Sequence, residues 1–251
     1  MQSRLSLLVT TTLLGAACLT GCSDDAPIGE DLSKVTFPAR SDFPVGSSSF
    51  KTLPTGTRTY NLDPTLETSH LYVQIFAGGT VGDNHIVRAT DWSGTAQFDP
   101  SNLAGCSISV TVQVEGLDPE RDEMRDLAGF KRVDVDSRNT IREHLRTPEQ
   151  LNFGSHKTIQ FTSKSCTLSE DRGDGGHPKV DVKGDLTVRG ATQEVVLPLE
   201  VSVDDESLAG RGIMIARHSD FGFEPYSSLG GLAQNKQDIY FVLDVRGQRA
   251  P

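Results

Sequence analysis

The chain has 251 residues, 24 Lys+Arg against 34 Asp+Glu for a formal net charge of −10, 36% hydrophobic and 23% charged residues. That length allows one domain or two with a core of useful size, and this charge content belongs to a folded chain, so wholesale disorder is excluded. The acidic balance argues against nucleic acid as a partner, since phosphate binding needs a positive field. With 24 Gly, 12 Pro and no long Leu/Ala-rich periodic stretch, an all-α fold is disfavoured too.

Residues 1–21 read as a secretory signal: Arg4 supplies the positive start and Leu5 to Ala17 the apolar run, which closes on small residues. The run is too short for a stable membrane span, which needs about 20 apolar residues. Its end, Leu19-Thr20-Gly21-Cys22, resembles a bacterial lipobox, in which the Cys becomes the acylated first residue. Several acyl chains together anchor a protein stably. Ser23, rather than Asp, follows Cys22, which favours the outer membrane. The expectation is a lipoprotein anchored through Cys22 to the cell outer membrane, on its periplasmic face. The membrane partner is reached through the acyl anchor and not through surface charge, because cleavage removes only Arg4 and leaves the domain acidic.

Residues 22–55 lack periodicity, are rich in Ser, Asp, Pro and Gly, and read as a flexible linker, with Ser47-Ser48-Ser49 its loosest part. Residues 56–251 form the domain. Strand-like pieces follow at 58–62, 70–76, 84–90 and 94–98. The clearest is 107–114, where Ile108, Val110, Val112 and Val114 alternate with polar residues. Further runs lie at 158–165, 180–188, 194–203, 211–216 and 239–245. Many short strands with one apolar face each predict an antiparallel sandwich or barrel. Between them, the charge-dense residues 117–129 read as a lid or surface excursion. Residues 137–153 carry Ile141, Leu145 and Leu151 and read as two short helical turns, the second starting at Thr147-Pro148-Glu149-Gln150. Residues 170–178, with Gly173, Gly175 and Gly176, read as a long hairpin loop.

Of four Cys, Cys18 leaves with the signal and Cys22 is committed to lipid. Cys106 opens one alternating run and Cys166 closes another, so they meet if those strands are antiparallel neighbours. The compartment permits a disulfide, and two buried free thiols are the alternative. No CxxC or HxxxH spacing supports a metal. The six His make no close ligand pair, there is no GxSxG elbow, and Asp134 and Asp136 flank a valine as a polar strand face would. Gly78-Gly79 and Gly230-Gly231 lack the Lys or helix start of a phosphate loop. No catalytic constellation emerges. The apolar strand faces remain to be covered: an eight-stranded barrel is either filled by its side chains or holds one small ligand. A hydrocarbon chain would gain about 0.8 kcal/mol per buried CH2 there.

A series of segments stands in a set order, beginning with Thr59-Tyr60-Asn61-Leu62-Asp63, Ser69-His70, His85, and Trp92-Ser93-Gly94-Thr95-Ala96-Gln97-Phe98-Asp99. It continues through Arg142-Glu143-His144-Leu145, Ile159-Gln160-Phe161-Thr162-Ser163, and Val182 to Thr192 with Gly184, Leu186, Thr187, Gly190 and Thr192. It ends at Ala216-Arg217-His218-Ser219-Asp220-Phe221-Gly222-Phe223. This order of segments resembles the YceI-like family of secreted, lipocalin-like barrels that bind polyisoprenoid lipids. The resemblance spans roughly residues 57–247, with 117–129 and 170–178 as additions.

The resemblance implies an all-β fold, an antiparallel eight-stranded lipocalin-like barrel with a short helical insertion. It implies a non-enzymatic protein, without metal or cofactor, that binds or carries a long-chain isoprenoid lipid of polyprenyl or quinone type. Leu71, Val73, Ile75, Phe98, Ile108, Val110, Val112, Ile159, Phe161, Leu186, Leu197 and Phe241 are the candidate cavity residues. A slip of one residue in register would turn any strand's share outward. His70, His85 and Arg217 are candidates for the headgroup. A homodimer stays open. Two rival readings are a structural or interaction lipoprotein with a filled barrel, and an enzyme or metal protein using convergent His residues.

Overall fold

The computed structural model describes residues 32–39, 56–173 and 176–251. Thirteen strands follow in chain order: β1 (Arg58–Leu62), β2 (His70–Ile75), β3 (His85–Ala89), β4 (Trp92–Phe98), β5 (Ser107–Gln113), β6 (Leu117–Pro119), β7 (Thr158–Arg172), β8 (Pro178–Val188), β9 (Ala191–Val203), β10 (Ser207–Arg217), β11 (Ser227–Ser228), β12 (Ala233–Gln234) and β13 (Asp238–Arg249). Two helices, α1 (Asp122–Ala128) and α2 (Val135–Arg146), lie between β6 and β7.

Eight strands close an antiparallel barrel in the order β1-β4-β5-β7-β8-β9-β10-β13, with β13 returning to β1. The sheet forks along β13. Its end, Gly247–Arg249, pairs with β1, whereas Tyr240–Asp244 pairs with β2, which continues to β3 and β6. The barrel is therefore shut at the β1 end and flared at the end bearing Ile75 and His85. Alternation explains the wall: β8 buries every second residue from Pro178 to Val188, with Lys and Asp between. Two glycines are required here. A Cβ on Gly184 would sit 2.6 Å from the Thr162 carbonyl oxygen. Arg189 and Gly190, at φ 52° and 77°, form the two-residue hairpin turn whose backbone matches strand twist.

β5 and β7 are antiparallel neighbours, and Cys106 and Cys166 are joined across them with Cα atoms 5.9 Å apart. The bridge encloses a sequence separation of 60. Chain entropy alone makes such a bridge worth about 4 kcal/mol.

A second, smaller core lies on the outer face. Tyr72, Ile86, Met124 and Val242 are buried there beneath α1 and the segment 32–39, whose Val35 and Phe37 pack against them. Thr36 N–H donates to Gln74 Oε1 (3.3 Å), Gln74 Nε2 donates to Thr36 O (3.2 Å), and Arg211 Nη2 donates to Pro38 O (2.7 Å). Part of the stretch expected to be a linker is thus a strap bound to the barrel. Residues 1–21, Cys22 and Ser47-Ser48-Ser49 lie outside the described residues.

Other expectations change. Residues 137–153 hold the last ten residues of one helix, α2, which begins at Val135, and the turns after it, rather than two short helical turns. Asp134 caps its start by accepting from Ser137 N–H (2.7 Å), and Thr147 ends it, its hydroxyl donating to His144 O (3.0 Å). Pro148 and Gln150 belong to the turns that follow. Residues 117–129 are β6 and α1, packed outside β3, and β7 runs on to Arg172, well past Ser165.

Candidate functional site

The barrel encloses a cavity of about 240 Å³. Leu71, Val73, Ile75, Phe98, Ile108, Val110, Val112, Ile159, Phe161, Leu186, Leu197 and Phe241 all line it. Several of them, Val110, Ile108 and Ile159 among these, are only half-buried yet pack against the main core. Their remaining exposure is therefore exposure to the cavity. Inner positions of β10 and β13, such as Met214, Ile239 and Leu243, complete the wall.

The flared end is covered by α2 and the turns after it. Ile141 and Leu145, four residues apart on one helix face, and Leu151 line the cavity from above. No residue of α2 is itself fully buried, so the helix is held mainly by polar links. Asp118 of β6 accepts from Arg138 Nη2 (2.7 Å) and Arg142 Nη2 (2.6 Å), and Arg146 Nη2 donates to Glu115 O (2.9 Å). Burial pushes the Asp118 carboxyl up, but the two guanidinium groups outweigh it and hold it below the ordinary carboxylate range. On the far side Arg189 Nη2 donates to Pro148 O (2.6 Å) and Gln150 Nε2 to Glu224 O (3.2 Å).

Among the described residues, polar side chains gather in the lining at this end: His85, His144, Gln150, His218, Tyr226 and Asn235. His85 Nδ1 pairs with Glu120 Oε1 at 2.8 Å, and the fully buried Glu120 carboxylate is in turn paired with the buried Arg125. The His144 ring stacks on Tyr226, centroids 5.0 Å apart. His218 Nδ1 donates to Gln237 O (2.8 Å), and burial pushes its pKa below the ordinary imidazole value. A shallower groove of about 440 Å³, lined by Asp83, Asp136, Ser137 and Thr140, adjoins the mouth and shares His85, Ile141, His144 and Tyr226 with the cavity.

Of the three residues expected near a headgroup, His85 alone is in the lining. His70 stands on the outer face of β2, opposite Asp244, because Leu71, Val73 and Ile75 take the inner face. Arg217 is displaced for the same reason: Met214 is the inward residue near that end of β10, and Arg217 turns out to lie 3.7 Å from Asp238. Ile141, His144, Leu145, Gln150, Leu151 and Tyr226 line the cavity beyond the expected set, and of these the i, i+4 pair Ile141 and Leu145 carries a sequence signal. Among the described residues no group of three or more His, Cys, Asp or Glu could hold a metal ion.

A sequence model of the YceI-like domain matches residues 60–245. Protein YceI of Escherichia coli O157:H7 is 24% identical over 158 residues, 62% of this chain and 70% of that one. UPF0312 protein VVA0736 of Vibrio vulnificus is 31% identical over 113 residues, 45% of this chain and 48% of the relative. The chain thus spans about half the length of that curated relative. Among solved structures, BcnA of Burkholderia cenocepacia superposes with a TM-score of 0.54 at 15% identity, covering 74% of this chain and 98% of that one. A polyisoprenoid binding domain from Saccharophagus degradans, implicated in plant cell wall breakdown, superposes with a TM-score of 0.50 at 11% identity, covering 76% and 98%. These likenesses show the same barrel. With that fold and a family match over residues 60–245, the chain belongs to the YceI-like domain family.

Proposed function

We propose that this chain is a non-enzymatic, periplasm-facing lipoprotein of the outer membrane that binds or carries a long-chain isoprenoid lipid, of polyprenyl or quinone type, in the barrel. One observation carries the reading: a cavity of about 240 Å³ walled mainly by aliphatic and aromatic side chains, with the polar side chains among the described residues gathered at its mouth. A hydrocarbon chain suits such a space, gaining about 0.8 kcal/mol per CH2 removed from water, whereas a polar ligand would leave its groups unpaired along the wall. The Saccharophagus degradans domain, described as polyisoprenoid binding, shares the barrel and supports the ligand class. The lipobox-like segment at Cys22 supports the anchor. The mouth residues His85, His144 and Tyr226 would meet the headgroup.

The test is mass spectrometry of an organic extract of the chain carrying Cys22→Ser, purified natively from a bacterial periplasm. A stoichiometric isoprenoid or quinone is expected. An empty extract, with no rise in melting temperature on adding isoprenoid, would overturn the carrier reading in favour of an interaction lipoprotein.

A further inference from the structure

We propose that the flared end of the barrel, with α2 and its neighbouring loops as the cover, is a docking face for a zwitterionic lipid bilayer, so that the covered mouth of the cavity faces the membrane. Seven large hydrophobic residues are exposed among the described residues: Leu32, Val81, Val135, Leu168, Val196, Leu229 and Leu232. Leu168 and Val196 stand singly on β7 and β9, as isolated surface apolar groups commonly do. The other five gather around the mouth. Val81 N–H donates to Leu232 O (3.0 Å), and Val81 bridges to Ala233, which ties the loop before His85 to the loop after Tyr226. Val135 opens α2 between Val133 and Asp136, both of which line the groove. Leu229 is 71% exposed although its φ of 53° is a conformation that Leu rarely adopts. A strained backbone that presents an apolar side chain to water points to a surface built for contact.

The strap places Leu32 at the same end. Thr36 is bonded to Gln74, and Pro38 to Arg211, which registers with Asp244 and so with His70. From 36 to 38 the chain descends β2 away from the mouth, so its upstream end leaves at the mouth. Cys22 lies ten residues before Leu32. A fully extended span of that length is at most about 35 Å, so a chain anchored at Cys22 keeps its mouth near the bilayer.

A bilayer fits this set better than a protein partner. The apolar side chains come from four separate segments at the mouth, the strap, the loop before His85, the start of α2 and the loop after Tyr226, which a fluid bilayer meets without shape complementarity. Asp83, Asp134 and Asp136 stand among them, the guanidinium groups of Arg138 and Arg142 on α2 are already bound to Asp118, and the chain is acidic overall, so a zwitterionic surface is favoured over an anionic one. The docking rests on the Cys22 anchor of the proposed function but not on the bound lipid, so the two can fail separately.

The test uses the full acylated chain reconstituted in phosphatidylcholine/phosphatidylethanolamine vesicles whose acyl chains carry bromine, a contact quencher. The native Trp92 is buried in the barrel wall, so Leu229→Trp adds one reporter at the rim, Leu232→Trp a second, and Val196→Trp a control on the wall. Seated about 5–10 Å into the headgroup boundary, the rim reporters should be quenched at least twofold more than the control. Replacing half the lipid by phosphatidylglycerol should reduce that difference. Equal quenching at rim and wall, or no quenching at either, overturns the proposal. Extracting isoprenoid from the same preparation separates the two readings. Bound lipid without rim quenching removes the docking and keeps the carrier, and rim quenching without bound lipid does the reverse.

Discussion

Val110→Phe tests whether the cavity is the ligand's seat. Val110 lies on β5 between Gly94 and Phe161 of the neighbouring strands, faces the cavity, and is half-buried only because the cavity is open there. The larger side chain adds four carbons to a space of about 240 Å³. Overpacking a filled core typically costs about 1–3 kcal/mol, but carbons that enter open space meet no such penalty. The melting temperature should therefore hold or rise. Bound lipid must give up about four carbons of contact, which at about 0.8 kcal/mol each is about 3 kcal/mol. That is a loss of about two orders of magnitude in affinity. Displacement titration with a fluorescent isoprenoid, alongside thermal unfolding, reads both quantities. A folded variant that binds as tightly as the parent would refute this reasoning. A variant destabilised by several kcal/mol would show that the barrel is filled.

Three further outcomes are expected. Asp118→Asn removes the charge that holds Arg138 and Arg142, each part-exposed, and should loosen α2 by about 1–3 kcal/mol. Faster amide exchange across residues 135–146 and faster ligand exchange, with barrel strands unchanged, would show it. In the parent, the Asp118 carboxyl lies below 3.8, so this anchoring is complete above that pH and is lost only as pH falls through the lowered value. Cys106→Ser with Cys166→Ser should lower stability by about 4 kcal/mol in denaturant titrations, with a steeper slope because the uncrosslinked unfolded chain exposes more surface, while the barrel without the bridge still binds lipid. His218, lowered by burial, contributes stability that is complete above 6.5 and declines as pH falls from there through its folded value. The melting temperature should drop between neutral and mildly acid pH, and His218→Gln should flatten that dependence.

Much of the barrel was legible because period-2 alternation is local. Ile108, Val110 and Val112 announce one face, and the same parity placed Leu71, Val73 and Ile75 inward. That same parity excludes His70 from the cavity, because His70 alternates with Leu71, Val73 and Ile75. The helix was harder. Pro148 is as common just past a helix end as in a first turn, and what decides here is the link from Asp118 to Arg138 and Arg142, 20 and 24 residues apart. The strap was out of reach of any local pattern. Val35 and Phe37 are too few to show a period, and their partners Tyr72, Met124 and Ile213 come from three distant elements. Tyr226 and His144 likewise meet only because α2 folds over the mouth.

The central claim, that the inner wall holds an isoprenoid chain, is most directly tested by photo-crosslinking. The natively folded chain would be loaded with an isoprenoid bearing a diazirine near its tail, irradiated, digested and mapped by mass spectrometry. Adducts on inner-face residues such as Val110, Phe161, Leu186 and Leu197, competed away by unlabelled isoprenoid, are the predicted result. Adducts confined to the outer face of the barrel, or none that compete, would contradict it.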